Sequence, residues 1–203
     1  NSISTDAITP EAGVNTKVEG NLTDLLTGGG SVLASAAGGE ISESNPVILE
    51  FHLAEDADTQ ADGILIETSK ANPIARATVD ITYMDADGTE GNISIPVEKD
   101  VQYLLKDSDA IPFLDGNGNM QIHLGSQIAV KKVTLTIKGM QNNNNLAEIS
   151  KVQFLNGMES RIPKPQMDIP QNLAVEEASR EFVVTWDPCK NITGYEVLIS
   201  SEG

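Results

Sequence analysis

Between residues 47 and 155 the chain repeatedly alternates apolar and polar residues over short stretches, each closed by a turn signal, and this pattern restricts the fold more than any other feature. Residues 47–53 alternate well enough for a half-buried strand, and 63–68 form a second. In 77–84 the spacing places Val79, Ile81 and Tyr83 on one face and Thr78, Asp80 and Thr82 on the other. The turn Asp85-Ala86-Asp87-Gly88-Thr89 then closes a hairpin onto 92–97. Further strands are expected at 120–124, at 130–137 with Val133, Leu135 and Ile137 opposed to Thr134, Thr136 and Lys138, and at 147–155. Seven or eight strands and almost no helical period, apart from one turn over 101–106, predict an all-β, antiparallel sandwich.

The flanks differ. Residues 1–20 are polar, with Pro10, Gly13 and Gly20, and read as a lead-in; 21–39 are loop-rich. Gly28-Gly29-Gly30 could cradle a phosphate, but no Gly-Lys-Ser/Thr follows, so a plain loop is expected. Domain one is therefore drawn over 21–156, and 157–169, with Pro163 and Pro165, as a stiff proline-rich linker. The tail, 170–203, opens on Pro170 and carries three short strand patterns with the lone Trp186 and, later, Tyr195.

A net charge of −17 repels phosphate backbones, and no Lys/Arg cluster offsets it, so nucleic acid is not an expected partner. No apolar run approaches a membrane span, so membrane insertion is not expected either. One cysteine, Cys189, permits no intrachain disulfide; for a secreted protein this points to a bacterium. The catalytic constellations fail one by one. His52 and His123 sit in strand patterns with no second ligand at metal spacing, so zinc is not expected. The pairs Asp56 with Asp58 and Asp85 with Asp87 fall in turns, where aspartate bonds its own backbone. Asp115-Gly116-Asn117-Gly118-Asn119 imitates the start of an EF-hand loop, but Met120 stands where that loop needs glycine. No enzyme is expected.

Asn21 to Thr27 resembles the "N-L-x-D-G…T" opening loop of discoidin, or coagulation factor 5/8 type C, domains. Val133 to Gly139, followed by Leu146 to Phe154 with its Ala147-Glu148-Ile149 step, resembles their last two strands, and Phe51-His52-Leu53 matches an aliphatic-polar step of an early one. The tail is similar to the opening of a fibronectin type III domain, in which the tryptophan anchors the core between two sheets. These resemblances imply a galactose-binding-like jelly roll over 21–156, then a partial immunoglobulin-like sandwich over 170–203. Because such sandwiches run to about 100 residues, the remaining strands are expected from further modules of a parent protein or from a partner chain.

The function that the resemblance implies is non-catalytic: an extracellular binding or adhesion module for carbohydrate or a cell-surface polymer, within a larger multimodular bacterial protein, secreted or at the cell surface. The alternatives are a structural spacer or assembly module, or an accessory fragment of a secreted glycoside hydrolase or protease. It also implies a structural Ca²⁺ held by Asp24 and Thr27, the Ala147 carbonyl and the Glu148 carboxylate, although Leu25 stands where the family has glycine. For a glycan, Tyr103 and Phe113 are the candidate stacking platforms, and Arg76 and Asn72 the candidate hydrogen-bonding groups.

Overall fold

The structure is a computed structural model that describes residues 2–55, 57–98, 110–142, 145–157, 171–178 and 181–187. The chain divides into two compact units, Asn1–Pro163 and Lys164–Gly203. The first is an all-β, antiparallel, nearly closed jelly-roll-like sandwich, consistent with a galactose-binding-like fold.

Among the described residues ten strands build it: β1 (Ile8–Ala12), β2 (Thr16–Glu19), β3 (Val32–Ala36), β4 (Val47–Leu53), β5 (Gln60–Thr68), β6 (Ile74–Met84), β7 (Glu90–Glu98), β8 (Ile111–Leu114), β9 (Met120–Met140) and β10 (Leu146–Leu155). The four-residue helix α1 (Asp24–Thr27) lies between β2 and β3, and the helical turn expected over 101–106 lies outside the described residues. One sheet runs β7-β6-β9-β4-β1 and the other β8-β9-β5-β10-β3-β2.

The 21-residue β9 belongs to both sheets. Its first part pairs with β8 and β5, its second with β4 and β6. The change falls where Gly63 opposes His123 but Ala61 opposes Ile128, so that β9 bulges between them, and Gly125 takes a φ of 78° there. The sequence reading expected two strands, 120–124 and 130–137, because Gly125, Ser126 and Gln127 look like a break. In the structure they are a bulge within one strand.

Alternation decides which faces are buried. In β4, Val47, Leu49, Phe51 and Leu53 point into the core while Ile48, Glu50 and His52 point out. Val133, Leu135 and Ile137 do the same on β9. Phe51 from one sheet meets Phe154 from the other edge to face, with centroids 5.9 Å apart at 65°. Both rings are buried, as the strand patterns predicted. Each such aromatic contributes roughly 1.5–3 kcal/mol by leaving water.

Residues 8–12 and 16–19, in the stretch read as a lead-in, are strands. β1 adds to β4 in one sheet and β2 to β3 in the other, so the short turn between them nearly closes the sandwich. The Gly13 N–H donates to the Ile48 carbonyl at 2.9 Å, and the Ile48 N–H donates to Thr16 Oγ1 at 2.8 Å.

In the second unit, β11 (Ala174–Ala178) and β12 (Glu181–Thr185) form an antiparallel hairpin. Val175 and Val183 are exposed on it. The third strand pattern of the tail, 193–199, lies outside the described residues.

Candidate functional site

One end of the first unit gathers the loops 37–46, 69–73 and 115–119 with Gln141 and Asn142, which follow β9. Gly118 packs on the backbone of Pro73 and Ile74, and the Gln141 N–H donates to the Pro73 carbonyl at 2.9 Å. The sequence 115–119 that imitates a calcium loop is a self-contained turn. Asp115 Oδ1 accepts from the N–H groups of Asn117 and Asn119 at 2.8 and 2.9 Å, and Oδ2 accepts from Asn119 Nδ2 at 3.0 Å. The turn is tied to β5 because the Thr68 N–H donates to Asn119 Oδ1 at 2.9 Å and the Thr68 hydroxyl to the Asn117 carbonyl at 3.1 Å.

Beside these loops lies an open cleft of about 430 Å³ where Arg76 of β6, Glu98 of β7 and Lys138 of β9 meet Glu40 and Ser42 of the β3–β4 loop. Arg76 stands opposite Glu98 on one neighbouring strand and Gly139 on the other. Glu43, from the same β3–β4 loop, draws the two cations together. Its Oε1 lies 2.9 Å from Lys138 Nζ and its Oε2 3.7 Å from Arg76. The result is a partly solvated patch of donors and acceptors, in which Arg supplies a planar fork and the carboxylates accept.

The sequence candidates scatter. Arg76 lines the cleft. Asn72 is on the adjoining 69–73 turn, where its N–H donates to the Ser69 carbonyl at 3.1 Å. Phe113 is in β8 opposite Gln121, half-buried on the outer face. Tyr103 lies outside the described residues. Glu43, Glu98 and Lys138 were not foreseen; only the outward position of Lys138 was visible in its strand.

The four residues implied for Ca²⁺ fall into two pairs. Asp24 and Thr27 are on α1, whose C-cap Gly28 is left-handed, and the Asp24 carboxylate lies over Gly29 and Gly30. The Thr27 hydroxyl donates to the Asp24 carbonyl at 3.4 Å and accepts from the Gly29 N–H at 3.3 Å. Ala147 and Glu148 are on β10, paired with Ala34 and Leu33, and the Glu148 carbonyl accepts from the Ser69 N–H at 2.9 Å. α1 packs against β10, so the two pairs sit on neighbouring elements.

The histidines also differ from expectation. His123 is buried, and its Nδ1 accepts from the Gly125 N–H at 2.9 Å, which holds the β9 bulge. His52 was read as isolated, but Glu50 shares its face of β4 and Glu11 stands across on β1.

No family model and no curated protein matches the chain. Among solved structures it is similar to CpGH89CBM32-4, produced by Clostridium perfringens, in complex with glcNAc-alpha-1,4-galactose. That match has 13% identity and a TM-score of 0.43, and covers 77% of this chain and 95% of that one. It is also similar to a pectin-binding carbohydrate-binding module, at 10% identity and a TM-score of 0.34, over 73% of this chain and 94% of that one. Similarity at this level leaves the functional reading to the chain's own geometry.

Proposed function

We propose that the first unit is a non-catalytic glycan-binding module of discoidin type and that the cleft around Arg76, Lys138 and Glu43 is its ligand subsite. The observation that carries this reading is the convergence of the two cations on one carboxylate in an open cleft at the loop end of the sandwich. Sugar hydroxyls both donate and accept, so a mixed, prearranged set of this kind suits them. With Glu40, Glu43 and Glu98 around two cations the cleft is slightly acidic, and the whole chain carries −17. A neutral glycan suits it better than a polyanionic one. Attachment to a cell-surface polymer, a secreted or surface location in a bacterium, and a fibronectin-like second unit belong to the same proposal; the hairpin β11–β12 supports the last of these.

A glycan array probed with the full chain, repeated with Arg76→Ala and Lys138→Ala, tests the reading. We expect binding to a neutral oligosaccharide that weakens roughly ten- to a hundredfold in each variant, the loss of one charge-assisted contact of about 1.5–3 kcal/mol. Binding that survives both changes would move the ligand to another face. Absence of any glycan ligand would favour a spacer module.

A further inference from the structure

We propose that the outer face of the β1–β4–β9 sheet holds a divalent transition-metal cation of the zinc class through His52, Glu50 and Glu11. Glu50 and His52 are two residues apart on β4 and so project from one face. Glu11 is the direct register partner of Glu50 on β1. One ligand atom from each of the three lies within 4.8 Å of the others.

The separations suit an ion better than hydrogen bonds. His52 Nε2 is 3.5 Å from Glu50 Oε2 and 3.9 Å from Glu11 Oε2. Charge-assisted hydrogen bonds close to about 2.7–2.9 Å. Tetrahedral ligands bound at about 2.0–2.2 Å stand roughly 3.4 Å apart, so each carboxylate oxygen is within about half an ångström of that spacing from Nε2, and the two carboxylates, within 4.8 Å of each other, have to close by at most about 1.4 Å. Nε2 itself is shut off from solvent and has no hydrogen-bond partner, although the imidazole as a whole is 41% exposed. A ring nitrogen enclosed in this way, with two carboxylates before it, calls for a positive charge between them.

The surroundings hold the ligands in place. Lys132, opposite His52 on β9, puts Nζ 2.8 Å from Glu50 Oε1, which leaves Oε2 facing the histidine. The remaining register neighbours, Thr9 opposite His52 and Thr134 opposite Glu50, carry no charge. The Lys132 ammonium opposes a cation and limits its affinity. An imidazole nitrogen selects zinc, cobalt, nickel or copper over calcium and magnesium, which prefer oxygen alone. Three protein ligands leave a fourth position for water.

The test uses tag-free chain stripped with chelator and titrated with Zn²⁺ by calorimetry and with Co²⁺ by visible absorption. We expect one ion per chain, a cobalt band of tetrahedral intensity, and no displacement by excess Ca²⁺. His52→Ala should abolish the band, and Glu11→Gln should weaken zinc about tenfold or more. Both side chains lie on the outer face, and melting curves confirm that the variants fold. No uptake at millimolar zinc, a cobalt band that survives His52→Ala, or full displacement by calcium would each overturn the proposal.

Discussion

Gly118 joins the loop end together, and replacing it by alanine should be among the most damaging small changes in the chain. Its φ is +87°, a region that costs an L-residue about 1–2 kcal/mol. A Cβ there would stand 2.5 Å from the Ile74 nitrogen, 2.7 Å from Thr68 Oγ1 and 2.8 Å from the Pro73 Cα. Two of the three atoms are backbone and cannot swing aside, so overpacking adds about 1–3 kcal/mol. Together the cost is about 2–5 kcal/mol. With a urea slope of about 2 kcal/mol/M, the unfolding midpoint should fall by roughly 1–2.5 M. Gly116 is the control: it lies in the same turn, and a Cβ there meets nothing within 4 Å. Gly116→Ala should stay within about 0.5 kcal/mol of the parent. If Gly118→Ala unfolds at the same urea concentration as Gly116→Ala, the close packing of the 115–119 turn on the start of β6 is wrong.

Two further outcomes concern charge and metal. The hydrogen bond from Lys132 is the chief cause of the lowered Glu50 pKa. A carboxyl held lower in the folded than in the unfolded state stabilises the protein above its unfolded pKa, and loses that contribution as pH falls through the folded one. Lys132→Met should therefore cost about 0.5–1 kcal/mol at neutral pH, and the stability curves of parent and variant should converge in acid; parallel curves down to pH 2 would contradict this. Calcium at Asp24, Thr27, Ala147 and Glu148 is decided by melting. If the ion binds, Ca²⁺ at about a hundred times its Kd adds about 2.7 kcal/mol, which raises the melting temperature by roughly 5–10 °C. The effect should vanish in Glu148→Ala, whereas an unchanged melt in the parent removes calcium from the account.

Strands with one buried and one wet face were legible because their period survives in the sequence. β4 is found at 47–53 as expected, and β6, β7 and β10 extend the expected spans by only a few residues. β1, β2 and β3 were not legible. β1 buries only Ile8, and Pro10, Gly13 and Gly20 read as loop, so its pairing with β4 decides its conformation rather than local pattern. The strand that carries Phe113 was not legible for the same reason: β8 is a four-residue strand fixed by β9. At the candidate site, Arg76 was visible as a polar group near a turn. Glu43 and Lys138 are far apart in the chain, and only the register of β6 with β9 brings Lys138 to Arg76's side. The pair Glu50 and His52 could be read from a two-residue spacing, but Glu11 could not, because its position depends on which strand neighbours β4.

The shared strand β9 also sets the order in which this protein can be made. β4 and β6 each have another partner, β1 and β7, but they are not joined to each other until β9 lies between them. Among the described residues β5 pairs with β9 and β10 alone, both of which follow it by more than fifty residues in the chain. A growing chain thus carries hairpins and unpaired strand edges, with no complete sheet, until residue 140 has been added. Such long-range pairing folds slowly and leaves open edges exposed to other chains. A fragment ending before β9 should be insoluble rather than half-folded, which sedimentation of a chain stopped at residue 119 would check.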